Sequence, residues 1–362
     1  MDVSRGLVLA GRASGGSGAD ERLLTLGGRP LVLRALDALR GAVPRVAVCV
    51  GPGDTLDLGD AADAQQVEAD GGGSPLACVV AGLRRFREPL VVAPATAAFP
   101  QAETIRELLR HASGVDDVVL PAVEGAGQPL FAVYHPRCLP ELERLVSVGR
   151  HDITEALPAL SVHPVPFADG APFAVVDSEE DWEAARRLVK PEAQGQPPLV
   201  AIVAKSGSGK TTFIEKLLPE LVRLGLRVGT IKHDAHDFEI DYPGKDTYRH
   251  GAAGAEAYVI SSAHRLAYVS RQEKEHSLAD LARRFHAGMD LVLVEGYKRE
   301  APHKVELFRK GSGHVATLYG PDETMALITD DPEKGHEILF ALDDAAALAA
   351  FLVVRLESLR NY

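Results

Sequence analysis

Short apolar runs alternate with helical patterns along the first half of the chain. The runs at 7–10, 46–50 and 90–93 are continuously apolar, whereas residues 31–40 and 103–111 carry apolar side chains at helical spacing. Continuous apolar runs are typical of strands that are buried on both faces, and strands that alternate with helices form parallel sheets covered by helices. The first half is therefore predicted to be α/β.

The second half repeats this pattern after a segment that is rich in helix breakers. That segment, residues 190–198, reads KPEAQGQPP and separates two stretches that each begin with an apolar strand. Such a composition is typical of exposed linkers between domains. We predict a first domain over residues 1–190, a linker over 191–197 and a second domain over 198–362.

Four apolar runs in the second half predict the strands of a second, largely parallel sheet that is buried on both faces. They lie at 199–203, 228–231, 257–260 and 291–294. A later apolar segment, 345–354, is too short to span a bilayer and is predicted to be a buried terminal helix.

Composition and charge narrow the classes of partner. The 362 residues are too many for one ordinary core, and 46% hydrophobic with 25% charged residues is typical of a globular protein. A net charge of −12 disfavours nucleic-acid phosphates and anionic lipid, so neither a nucleic-acid nor a membrane partner is expected. The three cysteines are widely spaced and the first apolar run is too short for a signal peptide, so a reducing, cytoplasmic location is expected.

A glycine-rich loop joins the strand at 199–203 to a helix predicted over 212–224. It reads Ala204, Lys205, Ser206, Gly207, Ser208, Gly209, Lys210, Thr211 and Thr212. Strand, loop and helix follow in the order that a P-loop requires, with alanine in place of the pattern's first glycine. Glycines let backbone N–H groups converge on phosphates, Lys210 adds charge at the β- and γ-phosphates, and the Thr211 hydroxyl binds Mg²⁺. The alternative is a Gly/Ser-rich turn that happens to precede a helix.

A second magnesium ligand is expected at the end of a neighbouring strand. The run at 291–294 is followed by Glu295, which we assign to Mg²⁺, directly or through water. Asp290 precedes the same strand, at the end away from the phosphates, and is predicted to be a loop or capping residue. For Glu295 the alternative is a solvated strand end.

The segment after the strand at 228–231 carries His233, Asp234 and His236. Two histidines flanked by carboxylates are compatible with a metal site, but no third ligand follows at a spacing that is typical of metal sites. Residues at the carboxyl end of a strand in such a sheet face the ligand crevice, so His233 and Asp234 are predicted to contact nucleotide, substrate or a partner. An N/T-K-x-D motif is absent, so these residues alone leave the base of the nucleotide open.

Together these residues resemble the MobB family over nearly all of residues 198–345. Besides the loop, the resemblance rests on Ile231, Lys232, His233, His236, Asp237, Phe238, Asp241, Pro243, Gly244, Lys245, Asp246, Arg249, Ala253, Gly254, Ala255, Val294, Glu295, Gly296, Tyr297 and Lys298. MobB-type proteins are GTP-binding adapters of molybdenum-cofactor biosynthesis with weak GTPase activity, usually dimeric, and partners of MobA. The resemblance implies a P-loop NTPase domain that binds GTP and Mg²⁺.

The first domain resembles MobA, the molybdenum cofactor guanylyltransferase, which joins GMP from GTP to molybdopterin and releases pyrophosphate. The frame of the family's first motif is kept at 9–21 and 23–31, and the segment at 128–134 matches well. The resemblance implies a nucleotidyltransferase-like domain, Rossmann-like and of the GT-A type, with a largely parallel sheet.

The residues that carry the MobA chemistry are replaced in this chain. Arg12 stands at the family's second glycine, Gly16 at its arginine and Glu21 at its phosphate-binding lysine. A carboxylate at the lysine position repels a triphosphate. The family's D-x-P motif, whose aspartate holds Mg²⁺, falls on residues 94–100, where Thr96 takes the place of the aspartate. The resemblance thus implies a transferase fold without its metal and phosphate ligands.

Three functions follow as hypotheses. The leading one is a MobA–MobB fusion that binds GTP and supports formation or delivery of molybdopterin guanine dinucleotide, with the first domain as a docking module. The second is an active bifunctional guanylyltransferase with relocated metal ligands, for which Asp20, Asp116 and Asp117 are candidates. The third is a GTP-controlled chaperone for one molybdoenzyme. A dinucleotide-dependent oxidoreductase is disfavoured because Glu21 occupies the third glycine of the G-x-G-x-x-G pattern.

Overall fold

The computed structural model describes residues 3–11, 20–61, 63–112, 114–189, 196–233, 241–272 and 274–360. It contains two large, mostly parallel sheets with helices between their strands, which confirms the predicted α/β class. The chain forms two compact units. The first comprises Met1–Gln194, Thr212–Val228 and Phe340–Tyr362, and the second comprises Gly195–Thr211 and Gly229–Leu339. The domain limits at 190 and 198 stay a prediction.

The elements before the linker alternate as the apolar runs predicted. The strands are β1 (Arg5–Leu9), β2 (Thr25–Leu26), β3 (Arg29–Pro30), β4 (Arg45–Val50), β5 (Gln65–Glu68), β6 (Leu90–Pro94), β7 (Val118–Val123), β8 (Ala126–Gly127), β9 (Val133–Tyr134) and β10 (Val162–Phe167). The helices are α1 (Leu31–Arg40), α2 (Pro75–Phe86), α3 (Ala102–Arg110), α4 (Leu139–Ser147) and α5 (Glu179–Leu188).

The first large sheet has β1 near its centre. Its strand order is β10-β7-β9-β6-β1-β4-β5, with β8 paired to β7. β1 runs parallel to both β4 and β6, and β9 is antiparallel to its neighbours β6 and β7. Leu7 and Val8 of β1 are fully buried, as expected for a central strand with both faces covered. The carboxyl end of β1 is therefore at the edge of the sheet where a ligand crevice is expected in this class of fold.

The elements after the linker continue the alternation. The strands are β11 (Leu199–Val203), β12 (Val228–Lys232), β13 (Ala257–Ser261), β14 (Leu266–Ser270), β15 (Leu291–Glu295), β16 (His303–Phe308), β17 (Ala326–Thr329) and β18 (Leu339–Phe340). The helices are α6 (Lys210–Arg223), α7 (Asp246–Ala252), α8 (Leu278–Phe285) and α9 (Ala345–Val353).

The second large sheet places β11 between two parallel partners. Its strand order is β12-β15-β11-β16-β17-β18, and β11 runs parallel to both β15 and β16. Every residue of β11 is at least 99% buried, in agreement with the apolar run that predicted it. The strands β11, β15 and β16 thus end on the same edge of the sheet, which positions the residues that follow them.

The strand predicted at 257–260 forms, but not as a buried strand of the large sheet. β13 pairs antiparallel with β14 in a separate two-stranded sheet, and Val259 and Ile260 are 55% and 56% exposed. The prediction of a strand buried on both faces was wrong here. A short apolar run has the same appearance in a core strand and in an exposed hairpin, so periodicity alone does not separate them.

The C-terminal helix α9 is buried, as predicted, and belongs to the first unit together with most of α6. Arg355, just beyond α9, lies 2.6 Å from the carboxylate of Asp57. After α6, the carbonyl of Leu224 accepts from both the N–H and the hydroxyl of Thr25, at 2.8 and 2.7 Å. No helix among the described residues combines the length and apolar character needed to cross a membrane.

Candidate functional site

The loop after β11 has the backbone of an anion-binding turn. α6 begins at Lys210, two residues earlier than predicted, so the loop leads directly into a helix N-terminus. Gly207 and Gly209 have φ angles of +77° and +94°, which glycine adopts without strain. Ala204 is fully buried, so its methyl group is accommodated at the position of the pattern's first glycine. The glycines that let backbone N–H groups converge on phosphate are therefore kept.

Three lysines concentrate positive charge at this loop. Burial lowers the pKa of Lys210, and the ammonium groups of Lys298 and Lys232 lower it further, while Glu295 opposes them. The Lys210 Nζ lies 3.5 Å from the carbonyl oxygen of Ala204. A polyanionic ligand would relieve this repulsion, so the loop favours such a ligand electrostatically.

Thr211 and Glu295 meet at the carboxyl ends of two neighbouring strands. Glu295 ends β15 and pairs in register with Ile202 of β11. The Thr211 hydroxyl donates to Glu295 Oε1 at 3.3 Å. Both side chains offer hard oxygen atoms of the kind that Mg²⁺ takes together with water and phosphate. Within the described ranges, no group of three or more His, Cys, Asp and Glu side chains could hold a metal, so Mg²⁺ here would need further oxygen ligands.

The remaining loop residues differ in exposure. Ser208 is 2% exposed, and its N–H donates to the Lys205 carbonyl at 3.4 Å. Ser206 is exposed, and its carbonyl oxygen lies 3.1 Å from the Nε2 atom of His314. Thr212 is exposed in the first turn of α6. The hydroxyls of Ser206 and Thr212 are therefore open to a ligand, whereas Ser208 is part of the packed base of the loop.

His233 lies beside the candidate magnesium ligand Glu295, and its predicted contact with nucleotide, substrate or a partner stays a prediction. Its N–H donates to the carbonyl of Glu295 at 2.8 Å, and its imidazole Nε2 lies 2.8 Å from the carboxylate of Glu275. The ring also packs against Tyr297, with 4.7 Å between the ring centroids. A Cβ atom on Gly296 would approach the His233 Cβ to 2.7 Å, so glycine is needed for this contact. The predicted residues Asp234 and His236 lie outside the described residues.

Sequence reasoning assigned no site role to three cations that lie at this edge of the sheet. Lys232 ends β12, Lys298 follows β15, and Arg309 follows β16 directly. A Cβ atom on Gly209 would lie 3.4 Å from the Nη2 atom of Arg309, so the guanidinium lies close to the P-loop backbone. Their shared position after the carboxyl ends of strands was the signal that could have found them.

The corresponding region of the first unit carries carboxylates instead. Glu21, at the position of the MobA lysine, stands in a short 3-10 turn. Burial, Asp177 and Asp20, in that order, raise the pKa of Glu21. Burial and then Asp181 raise the pKa of Asp177 as well. Negative charge is thus crowded where a triphosphate would need cations.

The arginine that follows Glu21 does not replace the missing lysine. Arg22 is buried, and its guanidinium lies 2.6 Å from Asp20 and 2.7 Å from Asp54. It also donates to the carbonyl of Ala10, which follows β1, at 2.6 Å. Two carboxylates already neutralise its charge, so little is left to attract a further anion.

Thr96 is the second residue after β6, at the position where the family's magnesium aspartate is expected. Its carbonyl accepts from the N–H of Val176 at 3.0 Å. The other replaced positions of the first motif, Arg12 and Gly16, lie outside the described residues. Asp116 and Asp117, the other candidates for relocated metal ligands, already accept hydrogen bonds from Ser161. The Ser161 hydroxyl donates to the carboxylate of Asp116, and its N–H donates to that of Asp117.

Comparison with known proteins gives matches for both halves of the chain. The family described as "Molybdopterin guanine dinucleotide synthesis protein B" (MobB) matches residues 199–330, and the "MobA-like NTP transferase domain" family matches residues 6–162. The chain is 41% identical over 160 residues to the molybdopterin-guanine dinucleotide biosynthesis adapter protein of Escherichia coli, an alignment that covers 43% of this chain and 91% of that protein. The chain belongs to the MobB family.

A MobA-like relationship accompanies the MobB one. The molybdenum cofactor guanylyltransferase of Pseudomonas putida is 34% identical over 161 residues, covering 42% of this chain and 80% of that protein. The adapter protein of Haemophilus influenzae gives 43% identity over 159 residues, covering 43% of this chain and 88% of that protein. The predicted fusion of a MobA-like with a MobB-like part is therefore confirmed. The MobB-like match contains the P-loop and Glu295, and the MobA-like match contains Glu21 and Thr96.

Proposed function

We propose that this fusion is a GTP-binding protein of molybdenum-cofactor biosynthesis or delivery. The P-loop from Ser206 to Thr212 binds GTP with Mg²⁺, and the MobA-like part serves as a docking module without transferase activity. The observation that carries the proposal is the meeting of Lys210, Lys232 and Lys298 at a glycine loop, beside the Thr211–Glu295 pair. The proposed biosynthetic process is the one in the names of the relatives, which are adapter proteins of molybdopterin-guanine dinucleotide biosynthesis.

Each residue of the loop has a role that follows from its position. The backbone N–H groups around Gly207 and Gly209 bind phosphate oxygens at the start of α6, and Lys210 places its ammonium at the β- and γ-phosphates. Thr211 and Glu295 hold Mg²⁺, directly or through water, and the ion supplies charge neutralisation to the phosphates. His233 borders the phosphate end of the site, and Asp234, the next residue in the sequence, stays a predicted contact of the nucleotide. Hydrolysis of GTP is expected to be slow, as in the MobB proteins that the chain resembles.

The MobA-like part is proposed to be inactive as a transferase. Transfer of GMP places negative charge on phosphoryl oxygens, which enzymes stabilise with metal ions and cationic side chains. The carboxylates of Asp177 and Asp20 add to the negative charge at Glu21, and Asp20 and Asp54 neutralise Arg22. Thr96 offers a neutral hydroxyl in place of a magnesium carboxylate. Loss of one such contact costs about 10²–10³ in rate, so the combined loss leaves negligible turnover.

A second copy of the chain is the proposed partner of the β13–β14 hairpin. Val259, Leu266 and Tyr268 are 55%, 69% and 45% exposed, and the two strands contain no charged residue. A two-stranded sheet is marginally stable alone in water, and uncharged strand edges readily pair with another strand. This supports a homodimer formed through the MobB-like part. A MobA-type transferase or a molybdoenzyme is the other proposed partner.

Nucleotide binding is tested by calorimetry on the full chain with GTP and Mg²⁺. Lys210→Ala is expected to weaken binding by at least about 100-fold, because it removes a charge-assisted contact to phosphate. Lys216→Ala is the matched control, since Lys216 is an exposed lysine of the same helix α6. Equal GTP affinities of the wild type and Lys210→Ala would disprove the assignment of the loop.

Transferase activity is tested separately with molybdopterin, GTP and Mg²⁺. We expect neither guanine dinucleotide nor pyrophosphate from the full chain. Turnover comparable to that of a MobA-type enzyme would instead establish the bifunctional guanylyltransferase. Partial gain of activity in the double variant Glu21→Lys with Thr96→Asp would support the inactive-transferase assignment.

A further inference from the structure

Asp331 carries a buried carboxylate oxygen that lacks a partner. The residue lies two positions beyond the end of β17 and is only 8% exposed. Its Oδ1 atom is buried and makes no hydrogen bond with any described residue. Asp331 precedes a 3-10 turn at Pro332–Lys334 without capping it, and its Oδ2 atom lies 4.0 Å from Lys334 Nζ. An unsatisfied buried acceptor costs free energy, and a ligand that donates to it would offset this cost.

The position of Asp331 in the sheet places it on the nucleoside side of the P-loop. β11, which leads into the P-loop, is flanked by β15 on one side and by β16 and then β17 on the other. Glu295 marks the β15 side as the metal and terminal-phosphate side. Neighbouring strands are about 4.8 Å apart, so the end of β17 lies roughly 10 Å from the end of β11. A nucleotide in an extended conformation spans such a distance between its phosphates and its base.

The segment after β16 connects the P-loop with the turn that contains Asp331. Ala316 accepts from the Nζ atom of Lys205 in the P-loop at 2.8 Å, and Val315 accepts from Lys334 Nζ at 2.8 Å. The Lys334 ammonium also lies 4.5 Å from the ring centroid of Phe308, the last residue of β16. The P-loop, the segment after β16 and the Asp331 turn are thus neighbours within the second unit.

A carboxylate with an unsatisfied oxygen distinguishes guanine from adenine by the hydrogen-bond donors that each base presents. Guanine presents two adjacent donors, N1–H and the 2-amino group, to which the oxygens of one carboxylate can accept side by side. Adenine has an acceptor at N1 and no 2-amino group, so it would leave the carboxylate unsatisfied. A site built around a buried polar group rejects analogues that lack the matching group, because the buried partner is then left unpaired.

We propose that Asp331 reads the base and makes the nucleotide site specific for guanine. The proposal rests on the proposed binding of GTP at the P-loop, and it supplies the base reader that the missing N/T-K-x-D motif leaves open. Because Oδ1 is buried, contact with the base requires a local rearrangement around Asp331.

The decisive variant is Asp331→Asn, titrated with GTP and with xanthosine triphosphate (XTP) in the presence of Mg²⁺. An amide replaces one acceptor by a donor, which mismatches the 2-amino group of guanine and matches the 2-oxo group of xanthine. We expect GTP affinity to fall at least about 10-fold and XTP affinity to rise by a similar factor. The control is Asp330→Asn, which changes the adjacent, exposed carboxylate and should leave the ratio of the two affinities unchanged.

A second measurement uses the wild-type chain, so it does not depend on folding of a variant. Inosine triphosphate keeps N1–H but lacks the 2-amino group, and we expect it to bind more weakly than GTP, with ATP weaker still. Equal affinities for GTP and inosine triphosphate, or an unchanged GTP-to-XTP ratio in Asp331→Asn, would overturn the role of Asp331. Failure of the wild type to bind any nucleoside triphosphate would instead refute the proposed function of the P-loop.

Discussion

At the scale of single residues, the charges around Lys210 and Glu21 have opposite signs. Lys210 lies with Lys298 and Lys232, and this cationic group favours an anionic ligand. Glu21 lies with Asp177 and Asp20, so the same ligand is repelled there. The two parts of the chain that resemble nucleotide-binding families therefore present opposite charge at the compared positions.

The raised pKa of Glu21 predicts that its charge destabilises the folded protein. The unfolded chain loses this proton near pH 4.5, before the folded chain does, so stability falls as the pH rises through that point toward the higher folded pKa. Glu21→Gln removes the penalty, and we expect its melting temperature to rise by about 1–3 °C at pH 7. The gain should diminish near pH 4.

Calorimetric or fluorescence melting at both pH values measures this effect. Glu215→Gln is the control, because Glu215 is an exposed carboxylate on α6. A loss of stability in Glu21→Gln at pH 7 would contradict the crowding of negative charge inferred at this position.

At the scale of elements, the end of α6 is held by a close glycine contact. Gly225 has φ +89°, and a Cβ atom there would lie 2.6 Å from Trp182 Cζ2 and 3.0 Å from the carbonyl oxygen of Thr25. Trp182 lies on α5 and is 5% exposed, so it has little room to move. The absence of a side chain at Gly225 is what lets the turn after α6 approach α5.

Gly225→Ala should therefore cost more than the backbone conformation alone. We expect a loss of about 2–5 kcal/mol, from left-handed backbone strain together with overpacking against Trp182. Gly53→Ala is the matched control, because Gly53 has φ +65° and open space around its Cα, and it should lose about 1–2 kcal/mol. Urea unfolding followed by fluorescence of Trp182, the single tryptophan, compares them. Equal losses would refute the close packing.

The β13–β14 hairpin allows a test of the proposed dimer. Val259→Lys introduces a charge on the exposed face, which would be buried on association, so we expect the variant to be monomeric. Val222→Lys changes an exposed valine of α6, 58% exposed, and should leave the oligomeric state of the wild type intact. Light scattering coupled to size exclusion gives the masses. A dimeric wild type whose Val259→Lys variant stays dimeric would exclude the hairpin as the interface.

At the scale of the whole molecule, segments beyond the linker complete the first unit. Residues 212–228 and 340–362 group with the N-terminal residues rather than with the rest of the MobB-like part. The bonds from Thr25 to Leu224 and from Arg355 to Asp57 belong to this unit. Residues that are adjacent in the sequence therefore pack into different units.

Cleavage at the linker, residues 190–198, should therefore leave the two pieces associated. We expect that cleavage of the linker unfolds neither half, as its composition predicts, and that the contacts of α6 and α9 within the first unit remain in place. Limited proteolysis should give two bands near 190 and 165 residues, about the sizes of ordinary domains, on a denaturing gel and one peak in native size exclusion. Two separate native peaks would contradict this packing, and loss of both pieces to the protease would contradict the boundary itself.

The sequence by itself determined the features that depend on neighbouring residues. The P-loop could be predicted because β11, the glycine turn and the start of α6 follow one another directly, and the helix α9 because its apolar character is local. The same is true of the replaced positions Glu21 and Thr96, which are read from a motif with fixed spacing. The proximity of Glu295 to Thr211 followed from the rule that parallel strands end at one edge.

Tertiary structure decided everything that depends on distant partners. An apolar run could not show that β13 lies in an exposed hairpin, because burial depends on what packs over a strand. The unsatisfied oxygen of Asp331 and the approach of Arg309 to the P-loop backbone are likewise consequences of long-range packing. The grouping of α9 with the first unit has the same origin, because the free energy gained by burying apolar surface does not depend on how far apart the residues lie in the sequence.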